Sequence, residues 1–451
     1  MLQQLMNQIK KSRLLKNVTK ISSGTLIGQL ISVVTVPVFT RIYGAEILGV
    51  WAFLNAIYLF VNSFSDLGLT FSIMTEKEEE KRERTYTVIT SIVMIISIVV
   101  SLIIGIIYTT IKTNDTGLNI IFLVVYSLIA IFTLQQTQVC YTWLNKKEKY
   151  SVLMKNPIIN NLTFAIFGIG LGLIGFKQYG YFVGWLLGQV ITLIHMKKNL
   201  PKKSFCFEWT EYKTLFKENI QFLKYQLPAN IVNVFKNQLP TFLIERFFGT
   251  TILGYYSIAA KVLNIPVVLL GNAVGRVFFQ ESSNMVAEGK AIGDFTYKSM
   301  KSMMKVGILP MIALVGFGKL VIVVFLGKDW AIAGDMLSIV AFQSYFIFLT
   351  ASVQGISINL KKQNYVRNMY IAQAITIFIA FVIGKYAFDS IYVSLIIMTA
   401  LFIIVNVTYF CAMYKVMKVP RKKYIMDVIY NFSIIFIASI PLYILMNKIF
   451  F

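Results

Sequence analysis

The chain has 451 residues, 57% of them hydrophobic and 14% charged, with a formal net charge of +23. Soluble domains average about 45–50% apolar and about 25% charged residues, so this composition and a mean hydropathy of +0.69 exclude an ordinary soluble domain. The basic excess does not point to nucleic acid, because Lys and Arg crowd into short loops between apolar runs, where they set topology and attract anionic lipid headgroups.

The opening stretch MLQQLMNQIKKSRLLKNVTK is basic but has no apolar core or small-residue cleavage site, so it does not read as a cleaved signal peptide. Leu2, Leu5, Met6 and Ile9 follow helical spacing, which predicts a helix lying on the membrane surface. Thirteen apolar segments follow, at 21–40, 46–72, 87–110, 118–143, 151–175, 180–196, 221–245, 250–278, 303–326, 331–359, 369–387, 389–414 and 428–447. Crossing a hydrocarbon core of about 30 Å takes about 20 such residues. With the N-terminus in the cytoplasm, the inner side holds 31 Lys and Arg and the outer side seven, which orients a multi-pass membrane protein.

Segments 1 and 2 are joined by RIYGAEILG at 41–49, and segments 7 and 8 by RFFGTTILG at 246–254. Arg41, Gly44, Ile47, Leu48 and Gly49 match Arg246, Gly249, Ile252, Leu253 and Gly254 at an offset of 205. The match falls at the equivalent point of each six-segment half, and both halves start on the cytoplasmic side, so the repeat is parallel. The expected fold is an all-α polytopic membrane protein, with 12–13 transmembrane helices in two parallel six-helix lobes around a central cavity. The predicted divisions are an N-lobe at 1–200, a cytoplasmic interfacial linker at 201–219, a C-lobe at 220–415, and a basic loop with an extra segment at 416–451. That last segment is either a full span or a re-entrant or interfacial piece. In the linker, Phe205, Trp209, Tyr212 and Phe216 are expected to anchor an interfacial helix. The mixed-charge run TEKEEEKRER at 75–84 reads as a solvated face.

Five cations fall inside apolar segments: Lys224 and Lys236 in segment 7, Lys261 and Arg276 in segment 8, and Lys319 in segment 9. Each costs about 2.5–3.5 kcal/mol at a helix centre on insertion scales, so such residues usually face a polar cavity and serve function. Lys224 and Arg276 lie near cytoplasmic ends, where snorkelling is an equal alternative, and Lys319 reads as a snorkeller near the outer end. Lys236 and Lys261 are deeper and read as cavity residues. Gln226, Asn230, Asn233 and Asn237 form one helical stripe, and Lys261, Asn264, Asn272 and Arg276 form another. Segment 1 carries Ser22, Thr25, Gln29 and Ser32, and segment 2 carries Asn55, Asn62 and Asp66. Such stripes either bind helices together or line a water-filled cavity. Cations on two of them favour a cavity that selects an anion. Pro228, Pro240 and Pro266 interrupt these helices as hinges or as static kinks.

His195 is the only histidine, and Cys140, Cys206 and Cys411 lie far apart. No catalytic set, phosphate-binding loop or metal-ligand spacing appears, so the chain reads as neither an enzyme nor an ATP-driven pump, with no cofactor or metal. A membrane-embedded glycan polymerase or acyltransferase would be expected to carry large outer loops, and these are short.

The stretches TRIYGAEILGVWAFL at 40–54, DLGL at 66–69 and ERFFGTTILGYYSIAAKV at 245–262 resemble the polysaccharide-transport branch of the multidrug/oligosaccharidyl-lipid/polysaccharide exporter superfamily, of the Wzx flippase type. The resemblance covers residues 15–415. It implies a protein of the bacterial cytoplasmic membrane that moves undecaprenyl-diphosphate-linked oligosaccharide from the inner to the outer leaflet by alternating access, for O-antigen, capsule or related polymers. By that analogy Arg41, Lys236, Arg246 and Lys261 would bind the diphosphate, while Gln29, Asn55, Asn230, Asn233 and Asn237 would line the glycan path. Arg41 and Arg246 would equally serve as caps of the outer helix ends or as partners of lipid headgroups. Implied partners are the lipid-linked oligosaccharide, anionic lipids and polysaccharide polymerase or assembly proteins, with proton or sodium left open as coupling ion. Relatives carry twelve or fourteen spans, against thirteen segments here. The rival is a drug or cation antiporter of the same superfamily, which would place carboxylates such as Asp66 in its cavity.

Overall fold

The computed structural model describes residues 13–110, 118–202, 205–267, 271–353 and 355–450, and its regular elements are all helices. The surface helix expected at Leu2–Ile9 lies outside the described residues. Segments 1 and 2 form one bent helix, α1 (Arg13–Asn62), followed by a short α2 (Thr70–Thr75). Then come α3 (Glu79–Thr110), α4 (Ile120–Lys146), α5 (Tyr150–Leu173), α6 (Lys177–Lys197) and the linker helix α7 (Trp209–Glu218). A π-helical turn (Phe222–Gln226) leads into α8 (Leu227–Phe248), and segment 8 is split into α9 (Thr250–Leu263) and α10 (Asn272–Ala287). The rest is α11 (Gly293–Leu326), α12 (Ala331–Ser352), a one-turn α13 (Ile356–Asn359), α14 (Gln363–Tyr386), α15 (Ile391–Val416) and α16 (Arg421–Phe450).

Among the described residues, nine helices are long and apolar enough to cross a membrane. The first of them, Lys20–Asn62, carries two predicted segments; at 1.5 Å per residue it is about 65 Å long, twice a hydrocarbon core. The helices of segments 6, 7 and 8 fall short of that measure because glycines and glutamines thin out α6, Asn, Gln and Lys interrupt α8, and the break in segment 8 leaves α9 with 14 residues and α10 with 16. The thirteenth segment is one continuous 30-residue helix, not a re-entrant loop.

The repeat is visible in the backbone. Gly44 bends α1 with φ 70° and ψ 177°, and Gly249 joins α8 to α9 with φ 87° and ψ 170°. Only glycine enters this region without strain. The five matched pairs also share their exposure: both arginines are exposed, both leucines and both second glycines are buried, and the rest are half-buried. A Cβ at Gly44 or Gly249 would meet no atom within 4 Å, so the requirement is conformational and not steric. Gly44→Ala and Gly249→Ala are each expected to destabilise the chain by about 1–3 kcal/mol, read as a lowered thermal midpoint in detergent. Gly170→Ala, where a Cβ meets open space at ordinary helical φ, serves as the neutral control.

The chain divides into two compact units, one ending at Phe235 and the other beginning at Lys236, inside α8. In the first unit α3 packs on α4, α4 on α6, α5 on α6, and both α4 and α5 on α1. In the second unit four of these five pairs recur, as α11 on α12, α12 on α15, α14 on α15, and α9 on α12, whereas the packing of α5 on α1 has no comparable counterpart. Small residues set the closest approaches in the first unit. Gly24 lies against the Met154 backbone, Gly28 against Pro157 and Gly184 against Gly168, so the helix axes come closer than larger side chains allow. Phe39, Phe164 and Tyr181 fill the space beside them with stacked and edge-on rings, and the Tyr43 hydroxyl donates to the Gly168 carbonyl. In the second unit α12 is the central helix, buried over most of its length among α11, α9 and α15.

The charged loop at 75–84 is less uniformly solvated than expected. Lys81–Glu78 and Arg84–Glu80 are exposed pairs. Arg82, however, is buried and donates to the carbonyls of Glu76 and Lys77, closing the entry to α3. The Glu76 carboxylate accepts from the Glu78 and Lys77 amides, which holds its pKa below the usual range. The linker helix α7 docks on this first unit: Tyr212 and Leu215 are buried, Arg84 pairs with Glu211 at 3.5 Å, and the Tyr212 hydroxyl donates to the Cys206 carbonyl. Of the expected interfacial anchors, Phe205 and Trp209 are exposed, together with Phe207, whereas Tyr212 faces the protein because its ring completes the core beneath α7.

Candidate functional site

The polar stripes occupy the helices with the most irregular backbones. Pro228 has no amide hydrogen to donate, and just before it the Leu227 N–H reaches back five residues to the Phe222 carbonyl, forming the π-turn. Pro240 lies inside α8, and Pro266 falls in the break between α9 and α10. All three candidate hinge prolines therefore sit in or beside departures from a regular ladder or within a stripe-bearing helix.

In the first unit, Gln226 donates to Asn230 at 3.3 Å along the stripe, and Gln29, Asn55 and Asn233 are half-buried. The Asn62 side-chain oxygen is buried without a hydrogen-bond partner among the described residues. Asp66 is buried, but its carboxylate is committed to the DLGL turn: one oxygen accepts from the Gly68 amide at 3.0 Å and the other from the Thr70 amide at 3.1 Å. Leu67 (φ 52°) and Gly68 (φ 73°) both adopt left-handed conformations there, and the two charge-assisted bonds offset that strain. Asp66 thus ends segment 2 early and starts α2.

The second unit holds Lys236 and Lys261. Lys236 is 9% exposed; its ammonium donates to Gln373 at 3.1 Å and lies 4.3 Å from the centre of the Tyr370 ring. This contact joins α8 to α14, segments 7 and 11. Its repeat counterpart joins segments 1 and 5 through close glycine packing, so the second unit has a cation where the first has backbone contact. Lys261 is half-buried on α9 and makes no ion pair among the described residues. Asn237 and Asn264 are exposed, and the Asn272 side chain lies outside the described residues. Arg41 and Arg246 are both exposed; the Arg41 guanidinium lies 3.5 Å from the Pro37 carbonyl, the position of a helix-end cap.

The other cations behave differently. Lys224 is exposed beside the Tyr225 ring. Lys319 is not a simple snorkeller: it pairs with Asp335 at 3.0 Å, with both side chains about one-fifth exposed. Sequence reasoning missed Asp335 as well as Gln373 and Tyr370. The available signal was a strongly polar residue alone in an apolar stretch, since Gln373 interrupts MYIAQAITIFIAF and Asp335 interrupts AIAGDMLSIVAF. Which cation is neutralised depends on which helices touch, and that information is tertiary. Among the described residues no group of three or more His, Cys, Asp or Glu could hold a metal.

Residues 38–335 match the family described as polysaccharide biosynthesis proteins. This chain belongs to that family. It is 26% identical over 204 residues to the teichuronic acid biosynthesis protein TuaB of Bacillus subtilis, a match that spans 44% of this chain and 41% of that relative. Its fold is similar to that of the lipid II flippase MurJ in an inward closed conformation, with a TM-score of 0.74 at 15% identity, covering 95% of this chain and 98% of the other. A multidrug resistance MATE family transporter in an inward-facing conformation aligns with a TM-score of 0.57 at 12% identity over 88% and 93% of the two chains. The family match and the nine described helices long and apolar enough to cross a membrane make this polysaccharide biosynthesis protein a multi-pass membrane protein, whose fold is that of the flippase and transporter structures above.

Proposed function

We propose that this protein is a flippase that carries a lipid-linked oligosaccharide, anchored by undecaprenyl diphosphate, from the cytoplasmic to the outer leaflet by alternating access. The observation that carries this reading is the state of the two deep lysines. Lys236 and Lys261 lie on helices of the repeat-equivalent pair, and neither is neutralised by a carboxylate among the described residues. An uncompensated cation in a span costs free energy, which a diphosphate would recover as it binds. Arg41 and Arg246, at equivalent exposed helix ends, would hand the same group to the outer surface. Gln29, Asn55, Asn62, Gln226, Asn230, Asn233, Asn237 and Asn264 would supply hydrogen bonds to the glycan. The irregular backbone at Pro228, Pro240 and Pro266 would absorb the change between inward and outward opening.

The family match and the likeness to TuaB support a role in assembling a surface polysaccharide, with polymerase or assembly proteins acting on the delivered substrate. On this reading the protein lies in the bacterial cytoplasmic membrane with its N-terminus inside. A drug antiporter would use a cavity carboxylate, and the engagement of Asp66 with two backbone amides argues against it. The test is mass spectrometry of lipids from cells lacking the gene, combined with an assay of leaflet distribution. Undecaprenyl-diphosphate oligosaccharide should accumulate in the inner leaflet. An unchanged lipid profile with new sensitivity to cationic drugs would replace the flippase by an antiporter.

A further inference from the structure

A crevice of about 430 Å³ opens in the second unit between α11, α12, α15 and α16. Its polar groups lie at one level. Lys319 pairs with Asp335 at 3.0 Å, the Tyr443 hydroxyl donates to the same carboxylate at 2.6 Å, and Tyr392 completes the rim. Both contacts fall on Oδ1 of Asp335; Oδ2 carries no bond among the described residues. Along each helix the next turn toward the membrane interior is mainly apolar: Val315 below Lys319, Ile339 and Phe342 below Asp335, and Ile440 below Tyr443, with the hydroxyl of Ser338 turned to the Val315 and Gly334 carbonyls. Lys319 and Tyr443 each sit seven residues from the end of their helix, about 10 Å, which is near headgroup depth. Gly334 lets α11 and α12 approach there, since a Cβ on it would lie 2.6 Å from the Lys319 Cα.

We infer that this crevice is a binding site for one phospholipid with a phosphate and a primary amine in its headgroup, its acyl chain lying along Val315, Phe342 and Ile440. The rim pairs one cation with one anion and adds two phenols, so it is electrically balanced and matches a zwitterion better than a net anion. The phosphate accepts from Lys319 and a tyrosine hydroxyl, and the ammonium donates to Oδ2 of Asp335. The level of the rim is the outer leaflet in the orientation set by loop charge. The bound lipid reinforces the seat of α16, which at its other end is held by Asp427 through Lys301 at 2.9 Å and Tyr297. This inference does not depend on what the protein transports.

The test is native mass spectrometry of the full chain in detergent with added phosphatidylethanolamine or phosphatidylglycerol. The wild type should retain one phosphatidylethanolamine about tenfold more strongly than phosphatidylglycerol, the size expected for one charge-assisted hydrogen bond. Asp335→Asn should abolish that preference. Because Asp335→Asn takes the carboxylate away from a partly buried Lys319, Lys319→Met combined with Asp335→Leu removes both ions together and keeps the fold testable. That double variant should stay monodisperse yet lose retention of both lipids, and Ile440→Trp, which fills the apolar seat, should do the same. Equal retention of both headgroups by the wild type, or a preference unaltered by Asp335→Asn, would overturn the inference. So would undiminished retention by the double variant.

Discussion

Replacing Lys236 and Lys261 together by alanine is expected to abolish transport while leaving the protein in the membrane at normal levels. Each lysine costs about 2.5–3.5 kcal/mol in a span centre on insertion scales, so removing them should ease insertion. The local losses are the charge-assisted bond from Lys236 to Gln373, worth about 1.5–3 kcal/mol, and its contact with the Tyr370 ring, which the relief of two charges within spans offsets. A structural lysine would show the opposite pattern, with lower abundance and a lower thermal midpoint. A charge-assisted bond to a diphosphate is worth about 1.5–3 kcal/mol, so losing two should reduce export by a hundredfold or more. The measurements are surface polysaccharide per cell, protein abundance in the same membranes, and the leaflet distribution of the lipid-linked precursor. Normal export by the double variant would remove both lysines from the site.

The second large effect is expected at Gly184. A Cβ there would lie 2.5 Å from the Gly168 amide nitrogen and 2.6 Å from its Cα. Backbone atoms cannot swing aside as a flexible side-chain tip can, so Gly184→Leu must push α5 and α6 apart. That opens the cluster of Phe39, Phe164 and Tyr181 and breaks the bond from Tyr43 to Gly168. Overpacking costs about 1–3 kcal/mol when side chains can yield, and more when they cannot. Gly184→Leu should therefore be degraded or aggregate, as seen by size-exclusion chromatography in detergent. Gly170→Leu, on the open face of α5, should elute as the wild type does. If both variants elute alike, the close approach of α5 and α6 is not required for the fold.

How much of this was legible beforehand follows from what each feature depends on. Apolar length and hydropathy are properties of the chain alone, and so are the glycines at the two repeat junctions, because φ near +70° to +90° with extended ψ admits little else. The thirteen segments and the repeat could therefore be read from the order of residues, and the structure places a helix in every one of them. Helical phase likewise marked the faces of α8 and α9 that carry Asn and Lys. Phase cannot say what stands opposite a face. Depth set Lys319, near an outer end, apart from the deeper Lys236, but only packing showed that α12 gives Lys319 a carboxylate, while α14 gives Lys236 only an amide and an aromatic ring. Asp66 looked like a cavity acid until the chain turned back so that its two oxygens met the Gly68 and Thr70 amides. Composition and periodicity determined that this chain is a bundle of membrane helices written twice. The tertiary structure decided which buried charges meet a carboxylate and which meet only an amide and an aromatic ring, because Coulomb and hydrogen-bond energies depend on distances between residues far apart in the chain.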